Sequence, residues 1–338
     1  MKLQNLKIYY LLIFTNNLWF ITANWLNFWL KYMTFKEVGF IDALAFLVGV
    51  MLEFPSGVIS DKLGRKQTLL ISQSLQLLGS LIITLSSNFF EIGFGFVIFQ
   101  IGVAFYSGTV EAFGYESSLI INNDYTKVLL KSGYISNLAY LGSLVIGGYL
   151  YLLNNNLPNI LFSINFFIGI LLCYFIKDYT VVREETVNFK SFNVNFNLKI
   201  VISYIFLMSL AFSFDYGFLK LVILEKFSSL TNNFWFIFLG TLSSLYLNSY
   251  LVPKVKNFNI SIYISLVLIV VSCILTFFSF IPLFLVLSFL AIFIYQISLK
   301  YINEKVEDFQ RASVISLFNI CYKLPYVLFA LILGYNLT

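Results

Sequence analysis

Four carboxylates sit inside otherwise apolar stretches of this 338-residue chain: Asp42, Glu53, Glu111 and Asp215. An ionised side chain at the centre of a membrane-spanning helix costs roughly 2.5–3.5 kcal/mol, so a carboxylate kept there is a functional hypothesis by default. The chemistry open to it is to bind a proton or to serve as counter-charge for a cation. The sequence holds no histidine, so any proton coupling near neutral pH falls to carboxylates. A second cluster lies in one short polar loop, Gly57 to Lys66, which reads G-x-x-x-D-x-x-G-R-K. Gly57 allows close helix packing and Gly64 a backbone turn. Asp61 can face a helix N-terminus, and Arg65 offers a forked donor to a carboxylate.

Helical spacing groups the carboxylates with small and polar neighbours. Asp42, Gly49, Glu53 and Ser60 fall at offsets of 0, 7, 11 and 18. Gln100, Ala104, Ser107, Glu111 and Ser118 fall at 0, 4, 7, 11 and 18. At about 100° per residue each set shares one helix face. Such faces turn toward protein or a water-filled cavity, not lipid. If the two faces meet with Glu53 and Glu111 at similar depth, the pair is a site for a coupling proton. The alternative is that either residue pairs with Arg65 or serves interhelical packing. Asp42 lies near the outer end of its stretch, where its side chain could reach the interface. Asp215 lies in the outer third of its stretch, which suits an outer gate or a pairing with nearby Lys220.

Long helices in lipid must carry these groups. Hydrophobic residues make up 59% of the chain and charged residues 11%, against about 25% charged in soluble domains. A spanning helix needs about 20 apolar residues. Eleven stretches qualify, near 7–30, 37–59, 67–87, 90–113, 130–153, 158–177, 198–222, 231–252, 260–279, 282–303 and 312–334. They are too long and continuous for barrel strands. The first carries Trp19, Trp25 and Trp29 and no small-residue cleavage site, so it reads as a retained helix rather than a signal peptide. With a cytoplasmic N-terminus, 17 of the 21 basic residues fall on or near the inside and 4 outside, which sets the orientation. The net charge of +5 is therefore a topology signal and not one for nucleic acid.

One polar segment, Lys177 to Lys199, interrupts the apolar runs. It divides the chain into a six-helix bundle (1–177), a cytoplasmic linker (178–197) and a five-helix bundle (198–338). The fold class expected is all-α and polytopic, two helical bundles of six and five spans. Cys173, Cys273 and Cys321 fall in three different apolar stretches. They form no disulfide framework and no metal-ligand spacing, and no cofactor is expected. Nor is an enzyme: the acids are scattered and no nucleotide-binding G-x-x-x-x-G-K-[ST] loop is present. Asn17, Phe20, Asn24 and Phe28 recur at helical spacing in the first stretch, an amide and aromatic face suited to an amphipathic organic molecule. Its other reading is helix-to-helix contact. Gly142, Gly147 and Gly148 in the fifth stretch read as packing and hinge positions.

The Gly57–Lys66 loop resembles the signature between helices 2 and 3 of the major facilitator superfamily. The segments Glu53 to Gly57, Tyr106 to Leu119 and Arg311 to Leu317 resemble a bacterial drug-efflux-like subgroup of it. The resemblance implies two helical bundles around a central cavity, working by alternating access. It implies that Asp61 engages the eleventh span and that Arg65 pairs with an acid at the inner end of the fourth, here Glu116, where the subgroup usually has Asp. Gly57, Asp61, Gly64, Arg65, Lys66 and Glu116 are thus the expected conformational latch, and Glu111 and Glu53 the expected proton-coupling residues. Helices 1, 4, 7 and 10 line the family cavity, which implies Asn17, Phe20, Asn24, Gln100, Ser107 and Asp215 as its lining. A twelfth helix has no counterpart before residue 338, and the loop after span eight lacks the signature.

Together these readings predict a monomeric, multi-pass transporter of the bacterial cytoplasmic membrane. It would export a small amphipathic compound in exchange for protons, with the lipid bilayer its only other partner. The alternatives are movement of a metabolite or peptide, or a non-transporting relic of immunity or receptor type.

Overall fold

The computed structural model describes residues 2–22, 24–121 and 125–177, with scattered positions from 239 onward, the longest run being 323–328. Two compact units divide the chain, one comprising Met1–Val182 with Gly334–Thr338 and the other Arg183–Leu333. In the second unit the described positions are helical, and Leu290, Phe293 and Ile297 are buried at helical spacing.

The first unit contains seven helices among its described residues: α1 (Lys2–Asn16), α2 (Trp25–Trp29), α3 (Phe35–Leu63), α4 (Arg65–Leu85), α5 (Phe89–Ile120), α6 (Tyr125–Leu153) and α7 (Leu157–Tyr174). Five are long and apolar enough to cross a membrane, namely α3, α4, α5, most of α6, and α7. The apolar stretches from 37 to 177 therefore emerge as single helices. The first does not. A continuous helix over 7–30 is expected from hydropathy, but α1 ends at Asn16 and helix resumes only at Trp25. Asn17, Phe20, Asn24 and Phe28 accordingly do not share a helical face.

Local chemistry sets the helix starts. At α3, the Glu37 N–H donates to Thr34 Oγ1 (3.4 Å) and the Thr34 N–H donates to Glu37 Oε2 (2.7 Å), a reciprocal cap. At α5, Asn88 Oδ1 accepts the Glu91 N–H at 3.1 Å. At about 1.5 Å per residue the 32-residue α5 is ~48 Å long, longer than a ~30 Å hydrocarbon core.

Packing inverts the pattern of a soluble helix. α4 buries Thr68, Ser72, Gln73, Gln76, Gly79 and Ser80 and exposes Leu78, Leu81 and Leu85. With lipid outside, apolar burial gives no preference for the interior, so small and polar groups hold the helices together. Ser72 Oγ donates to Gly102 O (2.9 Å), tying α4 to α5, and accepts from Gln76 Nε2 one turn along its own helix (3.0 Å). A side chain at Gly79 or Gly95 would meet the facing backbone at 2.5 and 2.9 Å, so α4 and α5 touch backbone to backbone. α5 is the central helix. It also accepts Ser56 Oγ from α3 at Ala104 O (2.9 Å) and donates Tyr106 Oη to Leu12 O of α1 (3.0 Å).

Candidate functional site

The corner between α3 and α4 is a single residue. Gly64 follows the last residue of α3 and precedes the first of α4, with φ 88° and ψ 158°, a combination essentially restricted to glycine. Its N–H donates to Ser60 O (3.0 Å) and its carbonyl accepts the Thr68 N–H (3.2 Å) and Thr68 Oγ1 (2.9 Å). Both helix ends are thereby satisfied through one residue.

This corner projects Arg65 toward the end of α5. Nε and Nη2 of Arg65 donate to Glu116 Oε1 at 3.1 and 3.0 Å. Nη1 donates to Ser60 Oγ at 2.6 Å, and Nη2 lies 3.0 Å from Asp61 Oδ1. The Arg65 and Glu116 side chains are 12% and 15% exposed, that of Asp61 49%. One guanidinium thus bridges three helical positions on α3 and α5, with its strongest charge partner nearly enclosed. Lys66 donates its Nζ to Tyr174 O at the end of α7 (2.9 Å). Beside it Gln4 Nε2 donates to Phe175 O (3.4 Å), Asn5 Nδ2 to Lys177 O (2.8 Å), and the Lys177 N–H to Asn5 Oδ1 (3.1 Å). The expected partner of Asp61 on the eleventh span, around 312–319, lies outside the described residues. Gly57 makes no close contact: a Cβ there would have no neighbour within 4 Å among the described residues.

Glu111 stands on an exposed part of α5 and Glu53 is half-buried on α3. Tyr9, packed against Gly114, lies within electrostatic reach of Glu111 and hydrogen-bonds Ser132 of α6. α3 and α5 run parallel, with Gly49 against Gln100 and Ser56 bonded to Ala104 O. That register sets Glu53 opposite about residues 102–105 of α5. Glu111 is then some 10 Å farther along the axis at about 1.5 Å per residue. The similar depth expected of the two carboxylates is not found, because α3 is shifted along α5 by more than their sequence offsets suggest. Asp42 is 3% exposed and so is enclosed by protein rather than reaching an interface.

Of the expected cavity residues, Gln100, Phe20 and Asn24 are buried at 5%, 8% and 2% exposure, while Asn17 and Ser107 are half-buried. Asp215 lies outside the described residues. Asn17 Nδ2 donates to Ile13 O (2.8 Å), Asn24 Nδ2 to Gly147 O (3.3 Å), and Ser107 Oγ to Ala104 O (3.4 Å). Gly142 faces open space among the described residues, whereas Gly147 is in tight contact with Phe20. Sequence reasoning missed Ser60 as the third partner of Arg65, Lys66 as a cap for α7, and Asn165, whose Nδ2 donates to Leu18 O (2.8 Å). It also missed the α4 polar face, although the spacing argument applied to spans two and four would have found it. Among the described residues no group of three His, Cys, Asp or Glu side chains is placed to hold a metal.

A sequence profile described as Major Facilitator Superfamily matches residues 8–330. No curated protein sequence matches the chain. Among solved structures, the nucleoside transporter NupG is similar, with 13% identity and a TM-score of 0.73 over 99% of this chain and 90% of that one. A D-xylose-proton symporter follows at 13% identity and a TM-score of 0.70, covering 98% and 89%. An inward-facing, occupied bacterial homolog of the human lysosomal transporter Spinster gives 12%, 0.64, 96% and 78% in the same order. At these identities the likeness is one of fold.

Proposed function

The chain belongs to the Major Facilitator Superfamily, and from that premise we propose that it is a secondary active transporter. It moves a small amphipathic organic compound across the bacterial cytoplasmic membrane by alternating access, and it exports that compound in exchange for protons. The six-helix bundle (1–177), the linker (178–197) and the second bundle (198–338) are its working parts.

The observation that supports this reading is the clasp of Arg65 on Glu116, Asp61 and Ser60. A charge cluster at the end of two helices, joined by a one-residue corner, fits a part that must hold in one state and release in another. An ion pair nearly shut off from water is stable only while both partners stay in place, so movement of the corner or of α5 disrupts it as a unit. In this reading Glu111, exposed on α5 near Tyr9, carries the coupling proton, and Glu53, about 10 Å along the axis, acts separately. Asn17 and Ser107 face the substrate path, and Asp215 supplies a counter-charge to a cationic compound.

The test is expression in a drug-sensitive bacterium against a compound panel, with Glu111→Gln and Asp61→Asn beside the parent protein. Resistance conferred by the parent and lost in both variants supports proton-coupled export. Normal membrane insertion with no change in sensitivity to any compound, and no solute flux into vesicles under an imposed pH gradient, overturns it.

A further inference from the structure

The interruption of the first span between Asn16 and Trp25 contains neither proline nor glycine (Asn-Leu-Trp-Phe-Ile-Thr-Ala-Asn over 17–24). These are the residues to which sharp bends in helices are ordinarily due. The break lies deep in the bundle. Gly147, its contact on α6, is six residues from the Leu153 end of that helix, about 9 Å at 1.5 Å per residue. Non-helical backbone at such a depth survives only where protein satisfies its polar groups, each costing several kcal/mol if left bare in hydrocarbon.

Its backbone is satisfied largely by local turns, with the Asn17, Leu18, Trp19, Thr22 and Asn24 N–H groups donating within the segment or to the end of α1, and two side-chain links tie the break to other helices. Asn165 of α7, 5% exposed, donates to Leu18 O at 2.8 Å. Asn24, 2% exposed, turns its amide to Gly147 O on α6 at 3.3 Å. Gly147 in turn leaves room for the Phe20 carbonyl, against which a Cβ there would clash. Within the break, Trp19 Nε1 donates to Asn16 O (3.0 Å) and Thr22 Oγ1 to Trp19 O (2.8 Å). The Trp19 ring is held among Phe99 and Phe162 at 6.2 and 5.5 Å.

We infer that Asn24 and Asn165 are positioning residues for transport: they clamp the first span open between α1 and α2, and neither contacts the substrate. Without the clamp, an apolar sequence with no breaker propagates as one helix, and Asn17 and Trp19 rotate out of place. The transport readout of this inference rests on the proposed function; the structural readout does not.

The experiment uses a protein whose only tryptophan is Trp19 (Trp25, Trp29 and Trp235 replaced by Phe) in lipid vesicles. Asn24→Leu and Asn165→Leu are each expected to shift Trp19 emission to longer wavelength. The double variant should shift no further, because both act on one clamp, and Asn165→Gln, which keeps the donor, should stay near the parent. Should the Leu variants fail to accumulate, Asn24→Ser is expected to shift the same way by less. Unchanged emission in variants as heat-stable as the parent overturns the inference. Ethidium efflux from loaded vesicles adds the second readout. The two Leu variants should lower turnover about tenfold, as loss of one buried hydrogen bond predicts, with KM within about twofold of the parent. A raised KM at unchanged turnover in Asn24→Leu overturns the positioning role. If the parent itself moves no ethidium, emission alone decides the clamp, and the failure belongs to the transport reading.

Discussion

The clasp at the Gly64 corner and the break in the first span are both polar constructions inside an apolar bundle, made of opposite materials. The clasp is charge on charge: Arg65 against Glu116 and Asp61. The break is amide on backbone: Asn165 on Leu18 O and Asn24 on Gly147 O. Charge is rare in this chain, 11% of residues, so each charged residue stands out and its partners can be guessed. Amides and carbonyls are not rare, and a carbonyl belongs to every residue. A membrane protein can therefore hide its most constrained backbone where the sequence looks plain, and display its charges where the geometry is simple.

Substitutions test that contrast, the largest effect expected at the plain-looking position. Gly147→Leu forces a side chain onto the Phe20 carbonyl, which backbone must yield to. A loss above about 5 kcal/mol, seen as failure to accumulate folded protein, is expected. Ordinary yield and melting temperature would mean that the break is not held from α6. Arg65→Leu strands Glu116, at 15% exposure, and is expected to cost about 3–5 kcal/mol in thermal unfolding. A cost under about 1 kcal/mol would reduce the clasp to a surface pair.

Gly64→Ala should cost about 1–3 kcal/mol, since φ 88° with ψ 158° admits little but glycine. A neutral result would show the corner relaxing without harm. Lys66→Met removes the donor to Tyr174 O and should lower stability by about 0.5 kcal/mol, less in high salt. Gly57→Ala is the control, within about 0.5 kcal/mol of the parent, because open space surrounds it among the described residues. A loss several times larger would identify a tight neighbour and move Gly57 into the class of Gly147.

What was legible in the sequence follows from the same contrast. Continuous apolar length forecast α3 to α7, because in lipid a helix is the simplest way to satisfy the backbone. The boundaries extended beyond the apolar runs where polar caps such as Thr34 and Asn88 lie outside them. Hydropathy could not see the break in span one, since Leu18 to Ala23 are as apolar as any helix interior; only Asn165, some 147 residues away, reveals it. Nor could spacing on one helix fix the register between two. Glu53 and Glu111 looked level until the Gly49–Gln100 and Ser56–Ala104 contacts set the slide of α3 against α5. The eleventh span and Asp215 fall outside the described residues.

The reciprocal pairing of Asn5 with the Lys177 backbone spans a sequence separation of 172 residues. Read as an event in time, it fixes an order of birth. At roughly 5–20 residues per second of synthesis, the opening turn of α1 waits about 10–35 seconds for the strand of chain that will hold it. A tie at the very start of α1 is thus made only after α7 is complete.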